Sequence, residues 1–153
     1  DLSWTVSKDR LKQMLDESRL GLNTIRFKAL WEFTQKFRSN PKQFYKKKNE
    51  TWVELRDRLV ENLFGIGQAK VSFALNLAFP VDAKVCCLDV HLLRFLGWGK
   101  KQVPSLKKYK EMEQKWLDKC DEYNVGDGGL REMYWNKVQR KRSSRYWSYC
   151  LEK

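Results

Sequence analysis

The sequence predicts an all-α fold. Apolar residues recur at three- and four-residue spacing along most of the chain, which is the period of one face of an α-helix. Serine or threonine precedes several of these stretches as a helix-capping residue, and glycine or proline follows them. No stretch alternates between apolar and polar residues as a half-buried strand would. With 153 residues, the chain is long enough for one domain or for two small packed lobes.

The first half of the chain predicts three helices. Ser7 caps a helix over about residues 7–18, which Gly21 ends. A second helix covers about residues 25–40, before a proline. Thr51 and Glu54 have the spacing of a capping box, in which each residue satisfies an amide of the other, and they open the third helix.

The second half of the chain predicts five more helices. They cover about residues 68–79, 88–96, 105–122, 130–139 and 143–151. The helix at 68–79 is apolar on most sides, so we expect it to lie centrally. Between the helices, VDAKVCC (residues 81–87) is predicted to be a connecting loop with some strand character, and NVGDGG (residues 124–129) a loop.

The charge of the chain favours a polyanionic partner. There are 31 basic and 19 acidic residues, giving a formal net charge of +12, and 14% of the residues are aromatic. This composition is typical of nucleic-acid-binding domains, although a basic but otherwise ordinary soluble domain would share it. The basic runs at 46–48, 100–101, 107–108 and 140–142 could line the rim of a cleft or could be solvated surface.

The cysteines predict no metal site. Cys86 and Cys87 are adjacent, Cys120 and Cys150 stand alone, and no pair has the C-x-x-C spacing of zinc or iron–sulfur ligands. Free thiols fit a reducing compartment. No stretch resembles a membrane span, and the first residues do not resemble a signal peptide. We therefore expect a soluble intracellular protein, in the nucleus or the cytoplasm, with no membrane partner.

The stretch LFGIGQAKVSFALN (residues 63–76) places two glycines in a short turn between two helices. Gly65 and Gly67 can take backbone angles that other residues avoid, and they let a ligand approach the main chain. Ile66 is expected to pack back between the helices. The amides of the turn and of Gln68 would then point outward together as an anion site suited to phosphate. An ordinary C-cap glycine followed by a second turn glycine is the alternative.

A second motif, CLDVHLLRFLG (residues 87–97), follows this turn after a short loop. Together the two stretches resemble the helix-hairpin-helix DNA glycosylase superfamily, the group of endonuclease III and 8-oxoguanine glycosylase. That family has a hairpin of the form L-P-G-[VI]-G, an apolar helix, and then V-D-x-H at the start of another helix. The similarity covers residues 51–98; Phe64 replaces the family's proline, and Leu88 replaces its valine. REMYWNKVQ (residues 131–139) is only loosely similar.

The resemblance implies both a fold and an activity. The fold would be one compact helical domain over residues 1–153, with two small lobes and a cleft between them. The activity would be that of a DNA glycosylase in base excision repair, which flips a damaged, modified or mispaired base out of the duplex and hydrolyses its N-glycosidic bond. DNA would be the partner of a monomer. No cofactor is required and the iron–sulfur loop is absent, but a monovalent cation at the hairpin carbonyls is left open.

Asp89 is the expected catalytic residue. Cleavage of an N-glycosidic bond builds positive charge on the sugar, and a carboxylate beside it stabilises that charge and can orient or deprotonate water. The alternative is that Asp89 only caps the next helix, since aspartate is a favoured N-cap. His91 would contact a DNA phosphate or fix the helix start. The expected phosphate-binding residues are Gly65, Gly67, Gln68, Lys70 and His91.

Position 69 decides between two kinds of glycosylase. Family members that also cleave the DNA backbone carry, at the position that matches Ala69, a lysine that attacks the sugar. Lys70 lies one residue further on, and one helical residue is a rotation of about 100°. We therefore expect a monofunctional enzyme in which Lys70 helps to hold phosphate. The alternatives are a bifunctional glycosylase/lyase with Lys70 as nucleophile, and a DNA-binding module without activity.

Overall fold

The computed structural model describes residues 7–18, 21–95, 97 and 104–139. Within these ranges there are seven α-helices and a short 3-10 helix at Pro41–Phe44. The helices are α1 (Lys8–Glu17), α2 (Asn23–Ser39), α3 (Trp52–Asn62), α4 (Gln68–Ala78), α5 (Val90–Phe95), α6 (Leu106–Glu122) and α7 (Asp127–Gln139). The described ranges contain no strand, so the all-α prediction is confirmed for them. The helix predicted at 143–151 and the basic runs at 100–101 and 140–142 lie outside them.

The chain divides into two compact units, residues 1–71 and residues 72–153, and the boundary falls inside α4. In the first unit, α1 packs against α2, and α2 packs against the 3-10 helix. The amide of Arg10 donates to Ser7 Oγ (3.2 Å), and Thr51 and Glu54 make both hydrogen bonds of the capping box. These caps satisfy amides that have no partner inside their helix, so α1 and α3 begin where the sequence predicts.

The core of the second unit combines one face of α6 with a buried stretch of irregular chain. Residues 85–88 are at most 5% exposed although they belong to no helix or strand. The buried apolar residues that α5 and α6 contribute are Leu92, Leu93, Tyr109, Met112, Trp116 and Cys120. The spacing on α6 follows the helical period, so the amphipathic pattern predicted for this helix is confirmed.

Two segments differ from their predicted structure. VDAKVCC has no strand, because side chains of α6 rather than a neighbouring strand bond its main chain near Cys86. Helix α7 begins at Asp127, so the last residues of NVGDGG form its first turn rather than a loop. An added Cβ at Gly126 would lie 3.1 Å from the carbonyl oxygen of Pro80, a close approach that favours glycine just before this helix.

Helix α4 is less enclosed than its apolar composition predicts. Its buried positions are Val71, Ser72 and Leu75. Leu77 is 50% exposed, and Phe79 just beyond the helix is 43% exposed. The expectation of burial on most sides was therefore wrong for this helix. Among the described helices, none is both long enough and apolar enough to span a bilayer.

Candidate functional site

Residues 63–67 form the predicted turn between α3 and α4. Gly65 has a φ of +70°, a conformation that disfavours any residue with a Cβ, so glycine is needed there. Gly67 has no positive φ, and a Cβ added at Gly67 would meet nothing within 4 Å. The expectation of unusual backbone angles is therefore correct for Gly65 and wrong for Gly67, whose missing side chain only leaves the main chain open.

The start of α4 offers amides to an external acceptor. The carbonyl oxygen of Gly67 accepts the amides of Lys70 and Val71, at 3.1 Å each. The amides of Gln68 and Ala69 donate to no other group in the described part of the chain. Because the first amides of a helix carry partial positive charge, this end of α4 has the chemistry that binds a phosphate oxygen.

Helix α2 supports the hairpin from one side. A Cβ added at Gly65 would lie 3.6 Å from Ala29 Cβ and 3.7 Å from a methyl group of Ile25, so α2 lies close to the turn at this position. The Lys28 ammonium lies 4.0 Å from the centroid of the Phe64 ring, a cation–π contact. Phe64 stands where the resembling family has proline, and this contact adds a positive charge beside the turn.

Lys70 and Ala69 differ in their exposure. The Lys70 side chain is exposed, whereas Ala69 is half-buried. This difference fits the rotation of about 100° between successive helical residues. The Lys70 ammonium is available to a phosphate in solution. The monovalent cation that the resemblance leaves open would need carbonyl oxygens of this turn, and that of Gly67 already accepts two amides.

Asp89 is the N-cap of α5, which confirms the alternative prediction that this residue caps the helix. One carboxylate oxygen, Oδ1, accepts the amides of His91 (3.0 Å) and Leu92 (2.8 Å). The cap explains why α5 begins at Val90 and not at the predicted position 88. The Asp89 side chain is still 38% exposed, so the capping carboxylate remains open to a reactant. The His91 side chain is exposed, but its amide is used by the cap.

The second oxygen of Asp89 is held by an arginine from α7. Arg131 donates to Asp89 Oδ2 at 3.0 Å, and its own side chain is only 19% exposed. The guanidinium carbon lies 5.8 Å from the centroid of the Phe73 ring in α4. Both oxygens of the Asp89 carboxylate therefore have fixed donors, two from the main chain of α5 and one from α7.

Side chains of α6 hold the irregular segment that precedes Asp89. The amide of Cys86 donates to Glu113 Oε1 (2.8 Å), and the Tyr109 hydroxyl donates to the Cys86 carbonyl (2.6 Å). The same hydroxyl accepts the amide of Leu88 at 3.2 Å. A buried main chain without regular structure needs such partners, since each unsatisfied buried polar group costs about 1–3 kcal/mol. Two residues one helical turn apart thus fix the path of the chain into Asp89.

Asp127 is, with Glu113, one of two buried carboxylates in the described part of this unit. Trp116 Nε1 donates to Asp127 Oδ1 at 2.7 Å, and the Asn76 side-chain amide donates to Oδ2. Burial raises the pKa of Asp127, although the nearby Arg131 and the hydrogen bonds of Cys86 and Trp116 favour its ionised form. Asp127 and Arg131 lie four residues apart on one face of α7, so the charge of Asp127 acts on Arg131 together with that of Asp89.

The described cysteines have the chemistry of inert core thiols. Cys86, Cys87 and Cys120 are free and buried. Burial raises the pKa of the Cys86 thiol well above its ordinary value, that of Cys87 to about 11 and that of Cys120 to about 12. Thiols with such pKa values are weak nucleophiles at neutral pH. Among the described residues, no group of three or more His, Cys, Asp and Glu side chains could hold a metal ion.

A groove of about 520 Å³ along α3 does not suit a nucleic acid. Its lining combines four acidic with two basic residues and an asparagine: Lys47, Asn49, Glu50, Glu54, Asp57, Arg58 and Glu61. An acidic surface repels phosphate. In contrast, the described basic runs at 46–48 and 107–108 are exposed, as a phosphate-binding or a solvated surface would be.

The sequence missed the partners of Asp89. Arg131 lies 42 residues beyond Asp89, in a segment with only loose similarity to the family, and Asp127 lies in a stretch predicted to be a loop. Tyr109 and Glu113, which hold the segment before Asp89, were predicted only as parts of an amphipathic helix. One signal in the sequence could have pointed to this site, because Glu113 is a charged residue on the buried, mostly apolar face of α6.

No family model matches the chain, and no curated protein or solved structure matches it either.

Proposed function

We propose that this protein is a DNA glycosylase of the helix-hairpin-helix type, which excises a damaged, modified or mispaired base by hydrolysing its N-glycosidic bond. The observation that carries the proposal is the state of Asp89. Its carboxylate is held by three hydrogen bonds and yet is 38% exposed. Capping the helix requires only the bonds to Oδ1, so the half-buried arginine on Oδ2 is an additional feature that suits a reacting carboxylate.

In the proposed reaction, the negative charge of Asp89 stabilises the cation that develops on the sugar as the base departs. The two carboxylate oxygens offer about four lone-pair positions. Three of these are used by the amides of His91 and Leu92 and by Arg131. The remaining position can accept a proton or a hydrogen bond from the attacking water. Asp89 would therefore act mainly through its charge and orient a single water molecule.

The hairpin would supply affinity for DNA without reading its sequence. Three features of this end of α4 suit a phosphate: the amides of Gln68 and Ala69, which have no acceptor among the described residues, the exposed Lys70 and the exposed Gly67. The net charge of +12 would attract the duplex over longer distances. Because this binding would release counterions, affinity for any duplex is expected to fall steeply as salt concentration rises.

Water, rather than an amine, is the proposed nucleophile. Lys70 lies one residue away from the position of the family's lysine, and that position here is Ala69. A reaction without an imine gives no covalent protein–DNA product on treatment with borohydride. We therefore expect an intact abasic strand until heat or alkali breaks it. Efficient borohydride cross-linking that Lys70→Ala abolishes would instead establish the bifunctional alternative.

A non-catalytic DNA-binding module is the second candidate, because Asp89 caps α5 and so has a structural reason to be there. Both candidates predict salt-dependent DNA binding. Only the glycosylase predicts the release of a free base.

The deciding experiment incubates the protein with a panel of duplexes and detects free base by mass spectrometry. The panel contains uracil, thymine mispairs, 8-oxoguanine, alkylated purines and hypermodified pyrimidines, with an undamaged duplex as the control. We expect release from one of these lesion classes and none from the control. Tight binding to duplex DNA with no base released from any member would contradict the glycosylase and support the binding module.

A further inference from the structure

We propose that Arg131 is a positioning residue of the active site, which fixes the plane of the Asp89 carboxylate. This inference rests on the proposed function, since it assigns to Arg131 a role in the reaction at Asp89. Arg131 is outside the segment of family similarity at residues 51–98 and belongs to no predicted functional motif. The inference rests on geometry within residues 72–153.

The helix cap alone leaves the carboxylate incompletely fixed. The amides of His91 and Leu92 both bind the same oxygen, Oδ1. Coupled changes of the side-chain torsions χ1 and χ2 can pivot the carboxylate about Oδ1, and its second oxygen then moves. Arg131 donates to that second oxygen, Oδ2, at 3.0 Å, so that both ends of the carboxylate are held. The reactive orientation of Asp89 would therefore be set before DNA binds.

Arg131 is itself held rigidly enough for this task. Its side chain is 19% exposed, and its guanidinium carbon lies over the Phe73 ring, 5.8 Å from the ring centroid. Asp127, one helical turn earlier, places a second carboxylate near the guanidinium, and Trp116 and Asn76 hold that carboxylate in turn. A guanidinium is planar and presents its donors in a fixed fork, so an arginine fixed from several sides transmits a defined direction to its acceptor.

The burial of Arg131 also argues against a direct contact with DNA. Phosphate-binding arginines need an exposed head group, whereas this one is half-buried and already donates to the Asp89 carboxylate. Removing a buried charge from an ionic network without removing its partners is destabilising. An ordinary structural ion pair would therefore change folding stability when broken, and a positioning residue would in addition change the rate of base release.

Three variants separate the two roles. Arg131→Met keeps an unbranched, flexible side chain, although a shorter one, and removes the charge and the hydrogen-bond donors. Arg131→Lys keeps the charge but offers a compact ammonium in place of the fork. Lys119→Met is the matched control, because it removes one positive charge from an exposed position of α6 in the same unit. Single-turnover base release and the Kd for the same duplex are measured for each folded variant, together with Asp89→Asn as the inactive reference.

We expect Arg131→Met to release base about tenfold to hundredfold more slowly than the wild type, with the Kd for DNA changed by no more than about twofold. Arg131→Lys should recover part of the lost rate, and Lys119→Met should retain the wild-type rate. If Arg131→Met does not fold, Arg131→Lys carries the test: its rate is expected to lie below that of the wild type at unchanged Kd.

The outcomes distinguish this inference from the proposed function. A wild-type rate in Arg131→Met, or in Arg131→Lys where the first variant does not fold, would overturn the inference while Asp89→Asn stays inactive. A loss of rate accompanied by an equal loss of DNA affinity would overturn it as well, because it would mark Arg131 as a binding residue. A wild-type protein that releases no base, or an active Asp89→Asn, would overturn the proposed function together with the inference.

Discussion

The hairpin at residues 63–70 and the segment at residues 83–92 are built in opposite ways. The hairpin has no buried residue before α4 continues, has one glycine in a left-handed conformation, and leaves the amides of Gln68 and Ala69 without an acceptor among the described residues. The segment that leads into Asp89 is buried over residues 85–88, and side chains of α6 bond its main chain at Cys86 and Leu88. Amides without an internal acceptor suit a ligand such as a phosphate, which accepts hydrogen bonds from the main chain. Amides that are bonded within the protein suit a segment that holds a side chain in a fixed position.

This difference determines what each region tolerates. A surface made of main-chain amides needs small residues and a correct backbone path, so substitutions of its glycines are expected to disrupt it most. A buried irregular segment needs partners elsewhere in the chain, so its weak points are the side chains that supply hydrogen bonds. Variants of the two regions should therefore fail in different assays, the buried segment in folding and the open hairpin in binding.

The largest expected effect on folding comes from Trp116→Phe. This change removes the indole N–H that donates to Asp127 at 2.7 Å, in a site where Trp116 is 2% exposed. A buried carboxylate oxygen then lacks its donor, which costs about 1–3 kcal/mol of unfolding free energy. Urea denaturation checks the value, with Trp31→Phe as the control because Trp31 is half-buried against the Phe27 ring. Equal losses in both variants would show that ring volume alone matters.

The two hairpin glycines give a smaller and divided effect. Gly65→Ala is expected to lower the unfolding free energy by about 1–2 kcal/mol, because its φ of +70° disfavours a Cβ. Gly67→Ala should change stability by less than about 1 kcal/mol, since its added Cβ meets nothing within 4 Å. The Kd of the Gly67→Ala variant for DNA should nevertheless rise about tenfold, because the added methyl group would occupy the space through which a phosphate approaches. Denaturation and fluorescence-anisotropy titrations separate the two results; unchanged DNA affinity in folded Gly67→Ala would contradict the phosphate-binding surface.

Acid should weaken the first unit by a smaller amount through Glu50. Arg58 donates to both carboxylate oxygens of Glu50, at 2.5 and 2.8 Å, and holds the pKa of Glu50 at about 2 instead of 4.5. The lower folded-state pKa means that this pair stabilises fully above pH 4.5 and loses its contribution as the pH falls toward 2. About 1 kcal/mol is expected. The difference in unfolding free energy between wild type and Glu50→Gln should shrink over this interval, and a constant difference would rule out the titration of Glu50 as its source.

Local signals in the sequence predicted the parts of the molecule that depend on neighbouring residues. Ser7 caps α1, Thr51 and Glu54 form their capping box, and the hairpin lies between two helices at the predicted place. Each of these features involves residues at most four apart, whose chemistry is visible in a short stretch of sequence. The cap at Asp89 was also foreseen, as the alternative to catalysis.

The partners of Asp89 could not be predicted in the same way. Arg131 meets Asp89 across 42 residues of chain, and Asn76 meets Asp127 across 51. Such pairs depend on how helices pack, which no local spacing encodes. NVGDGG was predicted to be a loop because its glycines disfavour helix, but α7 begins there with Asp127 in a hydrogen-bonded buried site. Tertiary bonding outweighs the local propensity at that point.

Asp89 is proposed to carry the chemistry while the hairpin carries the binding, and one pair of isosteric substitutions separates the two roles. Asp89→Asn keeps the shape of the side chain and removes its charge; Asp82→Asn makes the same change at an exposed position in the same unit. Single-turnover base release and Kd are measured on one substrate duplex. We expect Asp89→Asn to lose at least about a hundredfold in rate, about 2.7 kcal/mol, with its DNA affinity retained and Asp82→Asn unchanged. A folded Asp89→Asn protein that releases base at the wild-type rate would contradict the account.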